Sequence, residues 1–417
     1  MVLKMNNLID KIPKLKSLSL YFFTSIITAV IGILINPFLS VGLNHKDFAI
    51  LGYYSSFNIL FMPLVSLVLS NFYARKYYLV DDNKKKEIYQ TILSIYIIFG
   101  LLLLALLILV YYFYHKFFVS SIEFFPYAIM SFLPLYFSNF YNLYLLDLRM
   151  GNNAKRYSII SILNSLVSAL LSLWWVYFIK YGAVGRLSAI LITSILFGVF
   201  SMNVYKFKFK IDRTITREAL SFSWPLVISA ILTFFFMGVD RTFLEKLNDN
   251  YNLGLYNVGI QIAGYIGIFG SVLLQTFDPE IYKYSSRNEM NKVFQIIFLI
   301  IGLAIIPNVA FMFFSKYIID FLTYGKYIEA ANYANILCIK NVTTLFSFTI
   351  SGVLISKGFS KLEMYNRFLG AFLSVIIFKV FIDNFGFYGA AWGQGISWLI
   401  MGVISLLTFY IFKKNET

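Results

Sequence analysis

Charge is scarce in this sequence of 417 residues. Asp, Glu, Lys and Arg make up 13% of it, about half the share of about 25% found in soluble domains. With 59% hydrophobic residues and a mean hydropathy of +0.74, there is too little polar side chain to cover a soluble globule. Cysteine occurs once, at Cys338, which excludes an intrachain disulfide and a cysteine-based metal cluster. The two histidines, His45 and His115, stand apart with no His-Glu-x-x-His string, so no metal site is expected. The phosphate loop of nucleotide hydrolases is also missing, because Gly325-Lys326 has no upstream glycine at the required spacing. No Ser, His and Asp cluster presents itself, and no cofactor is implied.

What the chain has instead is long apolar runs. A hydrocarbon core of about 30 Å takes about 20 helical residues to cross. Twelve runs near or above that length can be marked, over 17–42, 48–73, 88–114, 124–146, 157–179, 184–204, 220–244, 253–277, 293–314, 330–355, 362–382 and 387–412. They predict helices, because barrel strands would be about ten residues long and would alternate polar with apolar. The expected fold is an all-α integral membrane protein of about 12 transmembrane helices with no soluble domain. Lys4, Lys11, Lys14 and Lys16 precede the first run in the manner of a signal peptide. The run is too long for one and lacks a small-residue cleavage site, which predicts a retained first helix.

The basic residues predict an orientation. With the amino terminus inside, 25 of the 35 Lys and Arg fall on inner segments and eight on outer ones, leaving Arg241 and Lys340 within spans. The positive-inside rule then places both termini in the cytoplasm. The net charge of +15 gathers in clusters such as Lys84-Lys85-Lys86 and Lys206, Lys208 and Lys210 on short inner loops. Topology and anionic headgroups account for these better than nucleic acid does.

The chain also repeats itself. Gly52-Tyr53-Tyr54 at the opening of the second span answers Gly254-Leu255-Tyr256 at the opening of the eighth, and Gly100 answers Gly302 at the same offset. Tyr181-Gly182-Ala183-Val184-Gly185 answers Phe385-Gly386-Phe387-Tyr388-Gly389, and Gly151 answers Gly358, at slightly longer offsets. These matches predict two homologous six-helix bundles, residues 1–210 and 211–417, joined by the basic segment from Lys206 to Arg217. An even number of helices per half makes the repeats parallel, with substrate expected between them near the midplane.

Polar residues inside the spans mark the candidate site. Lys340 lies near the middle of the tenth span, where a charge costs about 2.5–3.5 kcal/mol on insertion scales, so it must face protein or water. Tyr333, Lys340, Thr344, Ser347 and Ser351 fall on one helical stripe, which reads as a cavity lining; the competing role for Lys340 is to pair with a buried acid and hold helices together. Asp240 and Arg241 lie near the outer end of the seventh span, with Ser229, Thr233 and Asp240 on one face. For Arg241 alone, snorkelling to the interface competes with exposure to a lumen. Asp240 reads as the only acid clearly inside a span, with Lys340 or Arg241 as its expected partner and its protonation as a candidate coupling step. The eighth span carries Asn257, Gln261, Gly264, Ser271 and Gln275 on one face, and the first carries Ser25, Thr28, Gly32 and Asn36 before Pro37. Both suit a hydrophilic cleft, or simple interhelical hydrogen bonding.

Taken with the twelve-span plan in two halves, the Gly-x-Tyr openings, the string from Arg149 to Tyr157, the Asp240-Arg241 pair and Tyr388-Gly389-Ala390-Ala391, the sequence resembles the polysaccharide flippases of the Wzx type. These belong to the multidrug, oligosaccharidyl-lipid and polysaccharide exporter superfamily. The resemblance implies a transporter rather than an enzyme, acting by alternating access in the bacterial plasma membrane. Its implied substrate is a polyprenyl-pyrophosphate-linked oligosaccharide, such as an O-antigen or capsule repeat unit, moved from the cytoplasmic to the outer leaflet, with a proton or sodium ion as the coupling partner. Lys340, Arg241, Asp240, Asn257, Gln261 and Asn36 are the expected substrate-binding residues. No basic residue lies in the first span, which separates this chain from the lipid II branch. An ion-coupled multidrug antiporter is the alternative, although it would want more acids than Asp240; a polysaccharide polymerase or glycosyltransferase would want a larger extramembrane segment.

Overall fold

In a computed structural model, the described residues are 11–415 apart from 120, 205, 206 and 358. They are helical almost throughout. The first half of the chain gives α1 (Lys11–Gly42), α2 (His45–Ser66), α3 (Leu69–Lys76), α4 (Asp82–Ile95), α5 (Leu101–Phe118), α6 (Tyr127–Met150), α7 (Ala154–Ser172) and α8 (Gly182–Val204). The rest gives α9 (Arg213–Leu232), α10 (Phe234–Met237), α11 (Val239–Glu245), α12 (Asn250–Ser286), α13 (Met290–Thr323), α14 (Ala330–Ser356) and α15 (Ser360–Asn415). Among the described residues, ten helical segments are long and apolar enough to cross a membrane. One of these, Lys361–Ile411, is two helices meeting at Gly386, whose φ of 56° interrupts the helical backbone. Together with the 24-residue α6, this accounts for the twelve apolar runs. Large apolar side chains point outward along these helices, as at Phe313, Phe298 and Leu102, where a bilayer rather than water is the fitting solvent.

Close contacts divide the chain into two compact units. The first comprises Met1–Leu43, Phe61–Phe117 and Glu123–Ile228. Its core gathers Phe72, Tyr89, Ile92, Tyr96, Phe140 and Leu143 from α3, α4, the π-helical turn Tyr96–Gly100 and α6. The segment after α8 runs back along α4: the Lys208 backbone N–H donates to Gln90 at 3.0 Å, that of Lys210 donates to Ser94 at 3.0 Å, and the Lys210 ammonium pairs with Glu87 at 2.6 Å. Asp212 then caps α9, accepting from the Thr214 hydroxyl at 2.5 Å and from the backbone N–H groups of Thr214 and Ile215 at 2.8 and 2.9 Å. The Thr214 hydroxyl, followed by these N–H groups, holds its carboxyl below the usual aspartate range.

The second unit comprises Asn44–Leu60, Phe118–Ile122 and Ser229–Thr417. Its core packs Leu273, Val293, Ile297, Ile300, Leu345 and Leu354 from α12, α13 and α14. The repeated glycines have a steric role here. A Cβ on Gly52 would overlap the Asn257 side chain, and one on Gly254 would overlap the His45 carbonyl, so α2 and α12 close onto each other at both positions. Gly254→Ala is expected to lower the melting temperature of the purified protein, since an overpacked contact against backbone costs about 1–3 kcal/mol. Gly302→Ala, where a Cβ meets nothing within 4 Å, is expected to leave it unchanged or raise it. Thermal unfolding of the two variants in detergent checks the contrast.

Candidate functional site

The seventh apolar run is not one helix. α9 ends at Leu232, α10 follows Thr233, and Gly238, with φ of −134°, separates α10 from α11. A Cβ on Gly238 would stand 2.6 Å from the Phe234 ring and 3.1 Å from the Ser56 carbonyl, so the break sits in tight packing. The expected face of Ser229, Thr233 and Asp240, all in the second unit, is therefore interrupted twice.

There Asp240 is wholly buried and Arg241 nearly so. Oδ1 of Asp240 lies 3.3 Å from Nη1 of Arg241. Its Oδ2 accepts from the Tyr256 hydroxyl at 2.6 Å and from Nε2 of Gln394 at 2.8 Å, and Gln394 also donates to the Tyr256 hydroxyl at 3.2 Å. Arg241 donates further, to the Met237 carbonyl and, through Nε, to Oδ1 of Asn257 at 3.4 Å. The Asn257 amide nitrogen is used on the Leu253 carbonyl at 2.9 Å. A carboxylate taken out of water needs both an opposite charge and hydrogen bonds to offset its lost hydration, and three elements supply them here.

Of the two partners expected for Asp240, the structure selects Arg241. Among the described residues the Lys340 ammonium makes no hydrogen bond or ion pair, but it lies in electrostatic range of both Arg241 and Asp240. One anion and two cations leave the cluster with a charge of +1, and the free ammonium offers three donors to an incoming anion.

The remaining candidates are Gln261 and Asn36. Gln261 lies one turn beyond Asn257 on α12 and donates to the Tyr265 hydroxyl at 3.0 Å. Asn36, 2% exposed on α1 beside Pro37, belongs to the first unit. The Gln275 side chain lies outside the described residues.

Two buried acids escape the sequence reading, which counted Asp240 alone. Glu245 is 2% exposed, and its Oε1 accepts from the Ser121 backbone N–H at 2.7 Å and the Ser121 hydroxyl at 3.0 Å. Glu363 is 4% exposed, 3.1 Å from Nε of Arg367, and accepts from the Ser405 hydroxyl at 3.2 Å. Arg367, one of the 25 basic residues that the sequence puts on inner segments, lies within α15. The signal that could have found the pair is its i,i+4 spacing on an apolar helix. Among the described residues no three of His, Cys, Asp and Glu converge as metal ligands.

The chain has known relatives. Residues 15–277 match the family model described as "Polysaccharide biosynthesis protein", and residues 225–381 match that described as "MatE". Protein 1 of the Lsg locus of Haemophilus influenzae is 23% identical over 286 residues, which span 65% of this chain and 66% of that relative, just under two thirds. Among solved structures, the chain is similar to a multidrug resistance MATE family transporter in an inward-facing conformation, with a TM-score of 0.74 and 15% identity over 94% of this chain and 96% of that one. It is also similar to the lipid II flippase MurJ in an inward closed conformation, with a TM-score of 0.71 and 15% identity over 94% of this chain and 87% of that one. These structures share the fold.

Proposed function

The chain belongs to the polysaccharide biosynthesis protein family, Wzx-like transporters rather than enzymes within the multidrug, oligosaccharidyl-lipid and polysaccharide exporter superfamily, and on that premise we propose that it flips a polyprenyl-pyrophosphate-linked oligosaccharide across a bacterial plasma membrane. The glycan would be the repeat unit of an O-antigen, capsule or exopolysaccharide. Both termini would face the cytoplasm, and residues 1–210 and 211–417 would act as the two halves of an alternating-access device driven by a proton or sodium ion.

The observation that carries this reading is the net positive cluster of Asp240, Arg241 and Lys340. A pyrophosphate leaving water needs charge-assisted donors in a surrounding of low dielectric, where such hydrogen bonds are strong. Lys340 has an uncommitted ammonium to give, Arg241 supplies positive field while held by Asp240 and Asn257, and the polyprenyl tail can stay in the bilayer. The same sign disfavours a cationic drug, which an antiporter would draw in with uncompensated carboxylates.

Deletion of the gene, followed by chemical analysis of lipid-linked sugars, tests the proposal. A polyprenyl-linked glycan should accumulate on the cytoplasmic leaflet while surface polysaccharide disappears. Unchanged lipid-linked sugars, together with lost resistance to cationic dyes, would overturn it.

A further inference from the structure

The stripe of α14 that carries Lys340 continues as Thr344, Ser347 and Ser351, at helical spacing. Glycines on the last helical stretch show what it faces. A Cβ on Gly395 would lie 3.7 Å from the Lys340 backbone nitrogen, and one on Gly402 would lie 3.2 Å from Cα of Ser347. The two helices therefore run parallel and in constant register; the glycines meet Ile339 and the Phe346 ring first, so the stripe runs along the border of this helix pair, beside residues 394–405.

Hydroxyls elsewhere on α14 bond back to their own helix: Thr343 donates to the Lys340 carbonyl at 3.1 Å and Thr349 to that of Phe346 at 2.8 Å. Those on the stripe do not. The hydroxyl oxygens of Thr344, Ser347 and Ser351 are closed off from solvent without a hydrogen-bond partner among the described residues. So are Oε1 of Gln394, the hydroxyl of Ser397 and the indole N–H of Trp398 on the facing helix. Native proteins leave few buried polar atoms unsatisfied, and each calls for an explanation. Six in one seam call for a common one.

A charged group closes each end of this seam. At one end Gln394 holds Oδ2 of Asp240, around which Arg241, Tyr256 and Lys340 gather. At the other, Ser405 donates to Oε2 of Glu363, whose Oε1 is held by Arg367, with Asn366 donating to Thr408 at 2.8 Å beside them. Gln394, Trp398, Ser405 and Thr408 share one helical face, and from Gln394 to Ser405 the helix rises about 16 Å.

We propose that the seam holds a file of water molecules connecting Asp240 to Glu363 within the second unit, along which protons pass between the two carboxylates. Waters making about three hydrogen bonds each would satisfy the six orphaned atoms. A proton taken from bulk water at the Glu363 end is relayed as successive O–H bonds break and form along the file. The last transfer adds one proton to Asp240, and the file is restored by reorientation of its waters. The cluster of Asp240, Arg241 and Lys340 then goes from +1 to +2 with no other group changing charge. This inference stands on the geometry of one unit and not on the identity of the transported substrate.

Two measurements on the full chain in lipid nanodiscs test it. High-resolution density should show ordered waters within hydrogen-bonding distance of Ser347, Ser397 and Oε1 of Gln394. After a pH jump, the infrared carboxyl band of protonated Asp240, identified by its shift in Asp240→Glu, should grow at least tenfold more slowly in Ser397→Leu, which fills the seam, and more slowly in Glu363→Gln. A dry seam in the unmodified chain overturns the proposal whether or not the variants fold. An unchanged rate in folded Ser397→Leu overturns it as well.

Discussion

Replacing Lys340 with alanine is expected to reduce export of surface polysaccharide by at least about tenfold, because a hydrogen bond to a charged group contributes about 1.5–3 kcal/mol and each 1.4 kcal/mol is a factor of ten. The amount of protein in the membrane should not fall. Among the described residues the ammonium is committed to no protein partner, so removing it orphans no acid. That separates a substrate-holding role from the role of a helix clamp. A clamp would lower the melting temperature when cut, whereas a binding cation would lower transport at constant stability. Lys340→Arg keeps the charge but must fit beside the backbone contact with Gly395, so partial export is expected. Export assays and membrane immunoblots of both variants check this, and normal export by well-inserted Lys340→Ala would remove Lys340 from the binding site.

Asp240→Asn should act in the opposite way, on the protein before its transport. Asp240 is wholly buried against Arg241, Tyr256 and Gln394. Its loss of charge leaves Arg241 buried without a counter-charge, a change that costs about 3–5 kcal/mol when one partner of an enclosed pair is removed. Against a total stability of about 5–15 kcal/mol, this should lower the melting temperature sharply and deplete the protein from the membrane. Asp240→Asn combined with Arg241→Gln removes both partners and should recover part of that loss, the signature of coupled sites in a double-mutant cycle. Thermal unfolding of the two singles and the double in detergent measures the coupling. Additive losses would show that the pair is not a unit.

The helices were legible because the bilayer imposes one length on every crossing, and the apolar runs declare it. Even α6, interrupted by Ser131, Ser138, Asn139 and Asn142, could be read from its flanking apolar residues. The break at Thr233 and Gly238 was not legible, since Phe234, Phe235, Phe236 and Met237 are as apolar as any helix interior and hydropathy is blind to backbone conformation. Glu363 and Arg367 were hidden for another reason. They lie near the start of their span, where charges are ordinarily read as loop, and their mutual compensation across one helical turn leaves no trace in a hydropathy window.

At the candidate site, periodicity alone placed Lys340, Thr344, Ser347 and Ser351 on one stripe. What the stripe faces could not be read, because the contact joins it to a helix some fifty residues away in the chain, and registers between distant helices depend on small residues such as Gly395 and Gly402 whose partners the sequence does not name. The choice of Arg241 over Lys340 as the partner of Asp240 depended likewise on the helix break.

The central claim is that a net positive cluster in a Wzx-like transporter serves to carry a pyrophosphate-linked glycan across the bilayer. Purified protein reconstituted into liposomes loaded with a fluorescently labelled polyprenyl-pyrophosphate oligosaccharide tests it most directly, with an impermeant quencher added outside to count headgroups in each leaflet. The account predicts that the protein speeds headgroup crossing well above protein-free liposomes and that Lys340→Ala loses the gain. Crossing no faster than in empty liposomes, from protein shown to be folded and inserted, would contradict it.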